Sequence, residues 1–199
     1  MNALLAVVAA YFIGGIPFGY LIVRLTTGRD VRTLGSGNIG ATNVLRTTGR
    51  TVAVMTLLLD ILKGVAALWL ADRLTNHSSL WMSAAALAVM FGHAYPVFLK
   101  FQGGKAVASF IGAFLYLTPL PLLAVLLIFV AVVAATRYIS LGSILAAGLF
   151  PFAVWLILHP AAPVTIAALI AGAFIVYRHK ANLHRIRAGN EHVFNFGAR

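Results

Sequence analysis

The sequence contains very few acidic residues and no cysteine. Only 4 of its 199 residues are Asp or Glu, and charged residues make up 10% of the chain, whereas soluble domains carry about 25%. The lack of cysteine excludes disulfide bonds and thiol chemistry. Hydrophobic residues make up 61% of the chain and its mean hydropathy is +0.96. This composition excludes an ordinary soluble domain and indicates an integral membrane protein.

Long apolar runs account for this composition. A hydrocarbon core about 30 Å thick requires roughly 20 apolar residues per helix, and stretches such as "DRLTNHSS", "TPLP" and "HPAAP" separate the runs. We therefore predict an all-α polytopic membrane protein that forms a single domain over residues 1–199. Its transmembrane helices number about seven, at 3–24, 51–72, 81–98, 106–117, 121–137, 140–158 and 161–177. The fourth run is short and the fifth marginal, so a count of five stays open.

The basic residues predict the orientation in the membrane. With seven spans, thirteen of the fifteen Lys and Arg residues fall on one side. Cytoplasmic loops carry such an excess, so we expect the amino terminus outside and the carboxyl terminus in the cytoplasm. The net charge of +11 then reflects topology and attraction to anionic lipids, not nucleic acid. The thirteen residues are Arg24, Arg29, Arg32, Arg46, Arg50, Lys100, Lys105, Arg137, Arg178, Lys180, Arg185, Arg187 and Arg199.

This topology places three polar segments on the cytoplasmic side. The first polar segment is "GRDVRTLGSGNIGATNVLRTTGR" (28–50), the second is "GHAYPVFLKFQGGKAVAS" (92–109) and the third is "YRHKANLHRIRAGNEHVF" (177–194). The outer loops contain few groups capable of chemistry. We therefore expect the functional site at the cytoplasmic face.

The first polar segment contains "GSGNIG", which matches G-x-G-x-x-G. We reject a dinucleotide site, because that fingerprint requires a preceding buried strand. Glycines still allow backbone N–H groups to approach an anion closely. Additional donors follow within a few residues, and the alternative is an ordinary flexible loop. These donors are Ser36, Asn38, Thr42, Asn43 and then Arg46, on a helix expected to begin near Thr42.

The other two polar segments also carry groups that suit phosphate and polar substrates. In "QGGK", Lys105 follows two glycines and precedes an apolar helix, which suits a phosphate. In the third segment, His179 and Asn182 are three residues apart and share a helix face. The alternative for both segments is that their basic residues only anchor the helices at the membrane surface.

Several kinds of site are excluded by pattern. The histidine spacing forms no metal site, no G-x-S-x-G nucleophile elbow occurs, and the H-x-x-x-x-D signature of many lipid acyltransferases is absent because Phe98 follows His93 five positions on. Within the second span, Asp60 and Lys63 share a helix face and are expected to pair. The pair is either functional or structural, and we keep it out of the catalytic set.

The three polar segments together resemble the bacterial acyl-phosphate:glycerol-3-phosphate acyltransferase family of small integral membrane enzymes. The resemblance is carried by "GSGNIGATNVLRTTG", "GHAYPVFLKFQGGKAVAS" and "HKANLHRIRAGNE", in that order, and covers essentially the whole chain. Two positions depart from the second motif of the family, where Ala106 replaces glycine and Ser109 replaces threonine. The alanine is expected to stiffen the loop.

The resemblance implies transfer of a fatty acyl group from acyl phosphate to the 1-hydroxyl of glycerol 3-phosphate. The products would be 1-acylglycerol 3-phosphate (lysophosphatidic acid) and phosphate, in phospholipid synthesis. It implies no metal, cofactor, acyl-CoA or acyl carrier protein. It also implies a bacterial inner-membrane location with the active site facing the cytoplasm. The expected partners are the two substrates and the lipid bilayer, without nucleic acid, and we expect a monomer or a weak oligomer.

By the resemblance and the chemistry of the side chains together, we assign site residues. The backbone amides of Gly37 and Gly40 would help to hold acyl phosphate, and the general base would be either His179 or a substrate phosphate oxygen. The catalytic set is Ser36, Asn38, Lys105 and His179; the substrate-binding set is Gly37, Gly40, Thr42, Asn43, Arg46, Gly103, Gly104 and Asn182.

A second function, an anion or phosphometabolite transporter, is a weaker alternative. It is favoured by "GGIPFG" (14–19), which interrupts the first span, and by the charges of Asp60 and Lys63 near mid-membrane. It is disfavoured because the donor-rich segments share one interface and no inverted repeat is visible.

Overall fold

The computed structural model describes residues 2–194, so that Arg199, one of the basic residues expected in the cytoplasm, lies outside the described part. Within it the chain forms α-helices and two short 3-10 turns, Val31–Thr33 and Val97–Leu99. The residues group into two compact units, the first ending at Leu117 and the second beginning at Thr118. The helices are α1 (Asn2–Gly15), α2 (Phe18–Thr27), α3 (Ala41–Thr47), α4 (Arg50–Thr75), α5 (Ser79–Ala94), α6 (Val107–Leu117), α7 (Pro119–Thr136), α8 (Ile139–Leu158), α9 (Ala162–Arg178) and α10 (Lys180–Arg187).

The predicted all-α membrane architecture is confirmed. Within residues 2–194, five stretches are long and apolar enough to cross a membrane: Asn2–Thr27, Arg50–Thr75, Ser79–Leu99, Pro119–Thr136 and Ile139–Leu158. A sixth arises if α9 and α10, which meet at a bend of 53°, count as one span. Helix α6 has 11 residues, a rise of about 17 Å, which is short against a core of about 30 Å. The count of seven and the orientation stay predictions.

Glycines allow helices of the first unit to pack closely. A Cβ added at Gly14 of α1 would overlap the carbonyl oxygen of Val89 in α5, and one at Gly112 of α6 would overlap that of Ile61 in α4. Lipid provides no hydrophobic force to press helices together, so membrane helices rely on this kind of small-residue contact. The packing of α1 on α5 and of α4 on α6 therefore depends on these positions.

The break in the first span has a local cause and a local partner. Pro17 lacks an N–H group and disfavours helical geometry at Ile16, so α1 ends just before them. The carbonyl oxygen of Ile16 accepts a hydrogen bond from Lys63 Nζ at 2.9 Å. Lys63 Nζ also lies 2.7 Å from Asp60 Oδ1, so the predicted pair is present. The break is thus satisfied inside the protein, as backbone in a membrane must be.

In the second unit, a buried carboxylate ties the end of the chain to the helices. The backbone bends at His179, between α9 and α10. Further on, Glu191 accepts hydrogen bonds from Ser140 Oγ at 2.9 Å, Asn182 Nδ2 at 2.7 Å and Arg185 Nε at 2.7 Å. Burial raises the pKa of Glu191, but these three hydrogen bonds and the Arg185 charge outweigh it, so the pKa is lowered overall.

This lowered pKa predicts an acid-sensitive second unit. A carboxylate whose pKa is depressed in the folded state stabilises the fold above the pKa of the unfolded chain, about 4.3 for glutamate. The stability is lost as the pH falls below that value. We expect the thermal midpoint of the detergent-solubilised protein to be lower at pH 3 than at pH 5, two values on either side of about 4.3. This decrease should be smaller in Glu191→Gln.

The comparison with Glu191→Gln isolates this carboxylate from Asp30, whose pKa is also lowered, mainly by its hydrogen bond to the Arg32 side chain. Asp30 is unchanged in both proteins, so its contribution cancels. Equal acid sensitivity in the two proteins would contradict the prediction.

Candidate active site

Asn43 closes the loop between α2 and α3. The residue is 2% exposed, and both the Nδ2 and the Oδ1 atom of its side-chain amide form hydrogen bonds. Nδ2 donates to the carbonyl oxygens of Asn38 at 2.8 Å and Leu34 at 3.0 Å, and lies 3.3 Å from that of Val31. Oδ1 accepts from the backbone N–H of Ser36 at 2.8 Å. Asn43 therefore holds the loop in shape, and its place in the substrate-binding set stays a prediction.

The glycine amides of this loop are engaged within the protein as well. The N–H of Gly37 donates to the carbonyl oxygen of Leu34 at 2.9 Å, and the N–H of Gly40 donates to Asn38 Oδ1 at 2.8 Å. Both amides therefore already have an acceptor within the protein, and their contact with acyl phosphate stays a prediction. The loop thus satisfies these two backbone N–H groups within the protein.

Other residues of the first polar segment are exposed or half-buried. Ser36 and Arg46 are exposed, and Asn38 and Thr42 are half-buried. The predicted helix begins at Ala41, one residue earlier than expected, and Arg46 lies in its last turn. Hydroxyl, amide and guanidinium groups of this segment are therefore accessible to solvent, and their contact with substrate stays a prediction.

The two glycines of "QGGK" lie against the end of α5. The N–H of Gly103 donates to the carbonyl oxygen of Ala94 at 3.2 Å, and the N–H of Gly104 donates to that of His93 at 3.1 Å. A Cβ on Gly104 would overlap Nε2 of His93. These contacts fix the backbone immediately before Lys105, whose side chain is half-buried.

Ala106 has a conformation that favours glycine. Its φ is +62° and it is fully buried. The left-handed region costs an L-residue roughly 1–2 kcal/mol, which explains glycine at this position of the second motif of the family. The backbone keeps the left-handed turn in spite of the alanine, and α6 begins at the next residue.

The first two polar segments share one apolar core. Val31, Ile39 and Val44 come from the first segment, and Leu99 comes from the second. They pack together with Val23 and Ala53. The structure thus brings these two segments together within the first unit.

The third polar segment belongs to the second unit and supplies His179 and Asn182. His179 is 3% exposed, and its Nδ1 lies 2.8 Å from the carbonyl oxygen of Ile175. A carbonyl oxygen only accepts, so Nδ1 carries the hydrogen and the neutral ring has its lone pair on Nε2. Asn182 is buried and donates to Glu191. Convergence of this segment with the first two stays a prediction.

The sequence did not predict the contact of His93 with Lys63 or the hydrogen-bond partners of Glu191. His93 is 4% exposed, with Nδ1 2.9 Å from Lys63 Nζ. Its occurrence in the same polar segment as Gly103 and Gly104 was the only signal available, since Lys63 lies 30 residues earlier. The partners of Glu191 lie up to 51 residues away.

The chain is similar over its length to known membrane acyltransferases. Residues 4–189 match the family described as glycerol-3-phosphate acyltransferase. The glycerol-3-phosphate acyltransferase of Geotalea daltonii is 46% identical over 193 residues, which cover 97% of this chain and 98% of the relative. That of Geobacter sulfurreducens is 44% identical, with 98% of each chain covered.

Solved structures extend this similarity to the fold. The crystal structure of PlsY (YgiH), an integral membrane glycerol 3-phosphate acyltransferase, in its glycerol 3-phosphate form has a TM-score of 0.92 and 37% identity, with coverage of 98% of this chain and 96% of that one. The lysophosphatidic acid form gives a TM-score of 0.89 and 36% identity, over the same shares of the two chains. The chain therefore belongs to the glycerol-3-phosphate acyltransferase family.

Proposed function

We propose that the protein transfers a fatty acyl group from acyl phosphate to the 1-hydroxyl of glycerol 3-phosphate. The products are 1-acylglycerol 3-phosphate and inorganic phosphate. The observation that carries the proposal is the match of residues 4–189 to the glycerol-3-phosphate acyltransferase family. The comparisons give no support to a transporter, and the break at Pro17, which favoured one, has an internal partner in Lys63.

Side chains, not glycine amides, recognise the two phosphates in this proposal. Lys105 supplies a point charge and Arg46 a guanidinium that can bind two phosphate oxygens at once. Thr42, which precedes Arg46 in the same polar segment, adds a hydroxyl donor. This arrangement is supported by the internal hydrogen bonds of the Gly37 and Gly40 amides, which leave recognition by this loop to its side chains.

The reaction needs positioning and charge stabilisation more than a protein nucleophile, because acyl phosphate is already activated. The 1-hydroxyl oxygen attacks the carbonyl carbon, and the bond from that carbon to the phosphate oxygen breaks. Lys105 stabilises the departing phosphate, while Ser36 and Asn38 donate hydrogen bonds near the carbonyl oxygen. No covalent intermediate on the protein is required.

His179 or a phosphate oxygen of the substrate takes the proton of the 1-hydroxyl. His179 suits this role because Nδ1–H donates to Ile175, which directs the lone pair of the neutral ring to Nε2. Asn182 donates Nδ2–H to Glu191 at 2.7 Å. This hydrogen bond orients the amide, and we assign to its Oδ1 the acceptance of a glycerol hydroxyl.

The purified protein in detergent is expected to make lysophosphatidic acid from acyl phosphate and labelled glycerol 3-phosphate. Loss of one donor aimed at the developing charge costs about 10²–10³-fold in kcat, so we expect Ser36→Ala and Lys105→Gln to lose activity on that scale. Product is measured by thin-layer chromatography of the labelled lipid. A transporter would give no product, since no gradient exists in detergent.

Lys100→Gln is the matched control for Lys105→Gln. Lys100 lies in the same polar segment, is exposed and caps the Val97–Leu99 turn. Turnover of this variant should equal that of the wild type. No product from the wild-type protein would contradict the proposed function, and full turnover of folded Ser36→Ala would remove Ser36 from the site.

We also propose the topology that this reaction requires, with the site facing the cytoplasm of a bacterial inner membrane. Seven passes, with α6 and the bent pair α9–α10 each counted as one, put the three polar segments on one side. Helix α6 is short for a pass, so Lys105, which precedes it, would lie below the membrane surface. The excess of basic residues supports the cytoplasmic side.

The absence of cysteine from the sequence makes this topology directly testable. His77→Cys replaces a side chain that is 83% exposed in the loop after α4, and Lys180→Cys lies in the third polar segment. A membrane-impermeant maleimide added to intact cells should label His77→Cys, whereas Lys180→Cys should react only after the membrane is opened. The reverse pattern would contradict the orientation.

A further inference from the structure

The Lys63 ammonium group contacts three protein groups inside the first unit. It is 4% exposed, and an ammonium group has three N–H donors. Nζ lies 2.7 Å from Asp60 Oδ1, 2.9 Å from the Ile16 carbonyl oxygen and 2.9 Å from His93 Nδ1. Two of these contacts are hydrogen bonds, to Ile16 and His93, and the third is an ion pair with Asp60. Lys63 therefore holds protein groups in place.

These contacts also define the state of the His93 ring. Nδ1 is 3.6 Å from Asp60 Oδ1, which is too long for a hydrogen bond, so its partner is Lys63. Because the ammonium donates, Nδ1 accepts, and we assign the ring hydrogen of neutral His93 to Nε2. The hydrogen bond from Lys63 to Nδ1 therefore fixes the position and orientation of the ring.

The opposite edge of the ring lies against Gly104. A Cβ at Gly104 would overlap Nε2 and would lie 2.9 Å from Cδ2 and 3.2 Å from Cε1 of His93. Gly104 does not occupy the left-handed region, so its backbone conformation would accept alanine. The His93 ring is therefore the reason that this position requires glycine.

We propose that Asp60, Lys63 and His93 are positioning residues for Lys105. The ion pair fixes the His93 ring, and the ring sets the path of the Gly104 backbone, which leads directly into Lys105. The proposal rests on the proposed function, in which Lys105 stabilises the departing phosphate. It gives the buried charges of α4 a role in the reaction without contact with substrate.

The test introduces a steric clash between residue 104 and the His93 ring, and then removes the ring. Gly104→Ala pushes the loop away from the ring, and a displacement of about 1 Å can cost 10²-fold in rate. His93→Asn keeps an acceptor near the Nδ1 position and removes the edge that faces Gly104. We expect Gly104→Ala to lower kcat/KM about 100-fold in the wild-type background, on the scale of such a displacement. In the His93→Asn background, the loss of kcat/KM caused by Gly104→Ala should be several-fold smaller.

Both substrates are varied, so that kcat and KM are measured separately for acyl phosphate and glycerol 3-phosphate on the folded, monodisperse fraction. A purely structural role would lower the thermal midpoint and the folded yield without this rescue of turnover. Gly112→Ala is the matched control, since its Cβ would overlap the Ile61 carbonyl oxygen and not His93. Its effects should add to those of His93→Asn without rescue.

A second variant tests the ion pair without leaving one buried charge unpaired. Replacing both partners of a buried pair by apolar residues is often neutral for stability, whereas removing one partner is not. Asp60→Leu/Lys63→Met is therefore expected to fold and to lose about tenfold in kcat/KM, a fraction of the rate lost by a displacement of about 1 Å.

The outcomes separate the two proposals. An equal cost of Gly104→Ala in both backgrounds, or wild-type kcat/KM in folded Asp60→Leu/Lys63→Met, overturns the positioning role while wild-type turnover upholds the proposed function. Absence of turnover in the wild-type protein overturns the proposed function and the positioning role with it.

Discussion

The need to give buried polar groups a partner from within the chain shapes three irregular parts of residues 2–194. Such groups cannot form hydrogen bonds with lipid, and a buried group away from water also needs a protein partner. Lys63 donates a hydrogen bond to the carbonyl oxygen of Ile16 at the helix break. Asn43 donates hydrogen bonds to the carbonyl oxygens of Leu34 and Asn38 in the loop. In the second unit, the buried Glu191 carboxylate gathers donors from α8 and α10. A few buried polar side chains thus decide the shape of segments that composition alone would describe as flexible.

This constraint changes how the glycine-rich segments act. Their glycines allow tight turns and close backbone contacts, and the amides that seemed free for an anion are bonded to the protein. In the proposed reaction, substrate recognition depends on side chains such as Lys105 and Arg46, held by a backbone that is already ordered. Pre-organised charge of this kind needs no reorganisation during the reaction, which is where an enzyme gains most from electrostatics.

The sequence predicts the helices well because hydrophobic length and proline are local signals. The runs at 51–72 and 140–158 correspond to α4 and α8, and the Asp60–Lys63 pair follows from helical spacing. The roles of Asn43, His93 and Glu191 could not be predicted in this way. Each depends on contacts between residues that tertiary folding brings together, from 5 to 51 positions apart. A polar residue in a polar segment looks the same in sequence whether it binds substrate or the chain itself.

Amide hydrogen exchange is the most direct test of the claim that the loop amides are hydrogen-bonded within the protein. In lipid nanodiscs without substrate, the account predicts slow exchange at Ser36, Gly37, Gly40 and Gly104, whose N–H groups have acceptors within the protein. Addition of glycerol 3-phosphate or of a stable acyl phosphate analogue should leave their rates unchanged. Rapid exchange in the free protein that becomes slow on substrate binding would contradict the account, since it would show that these amides wait for an anion.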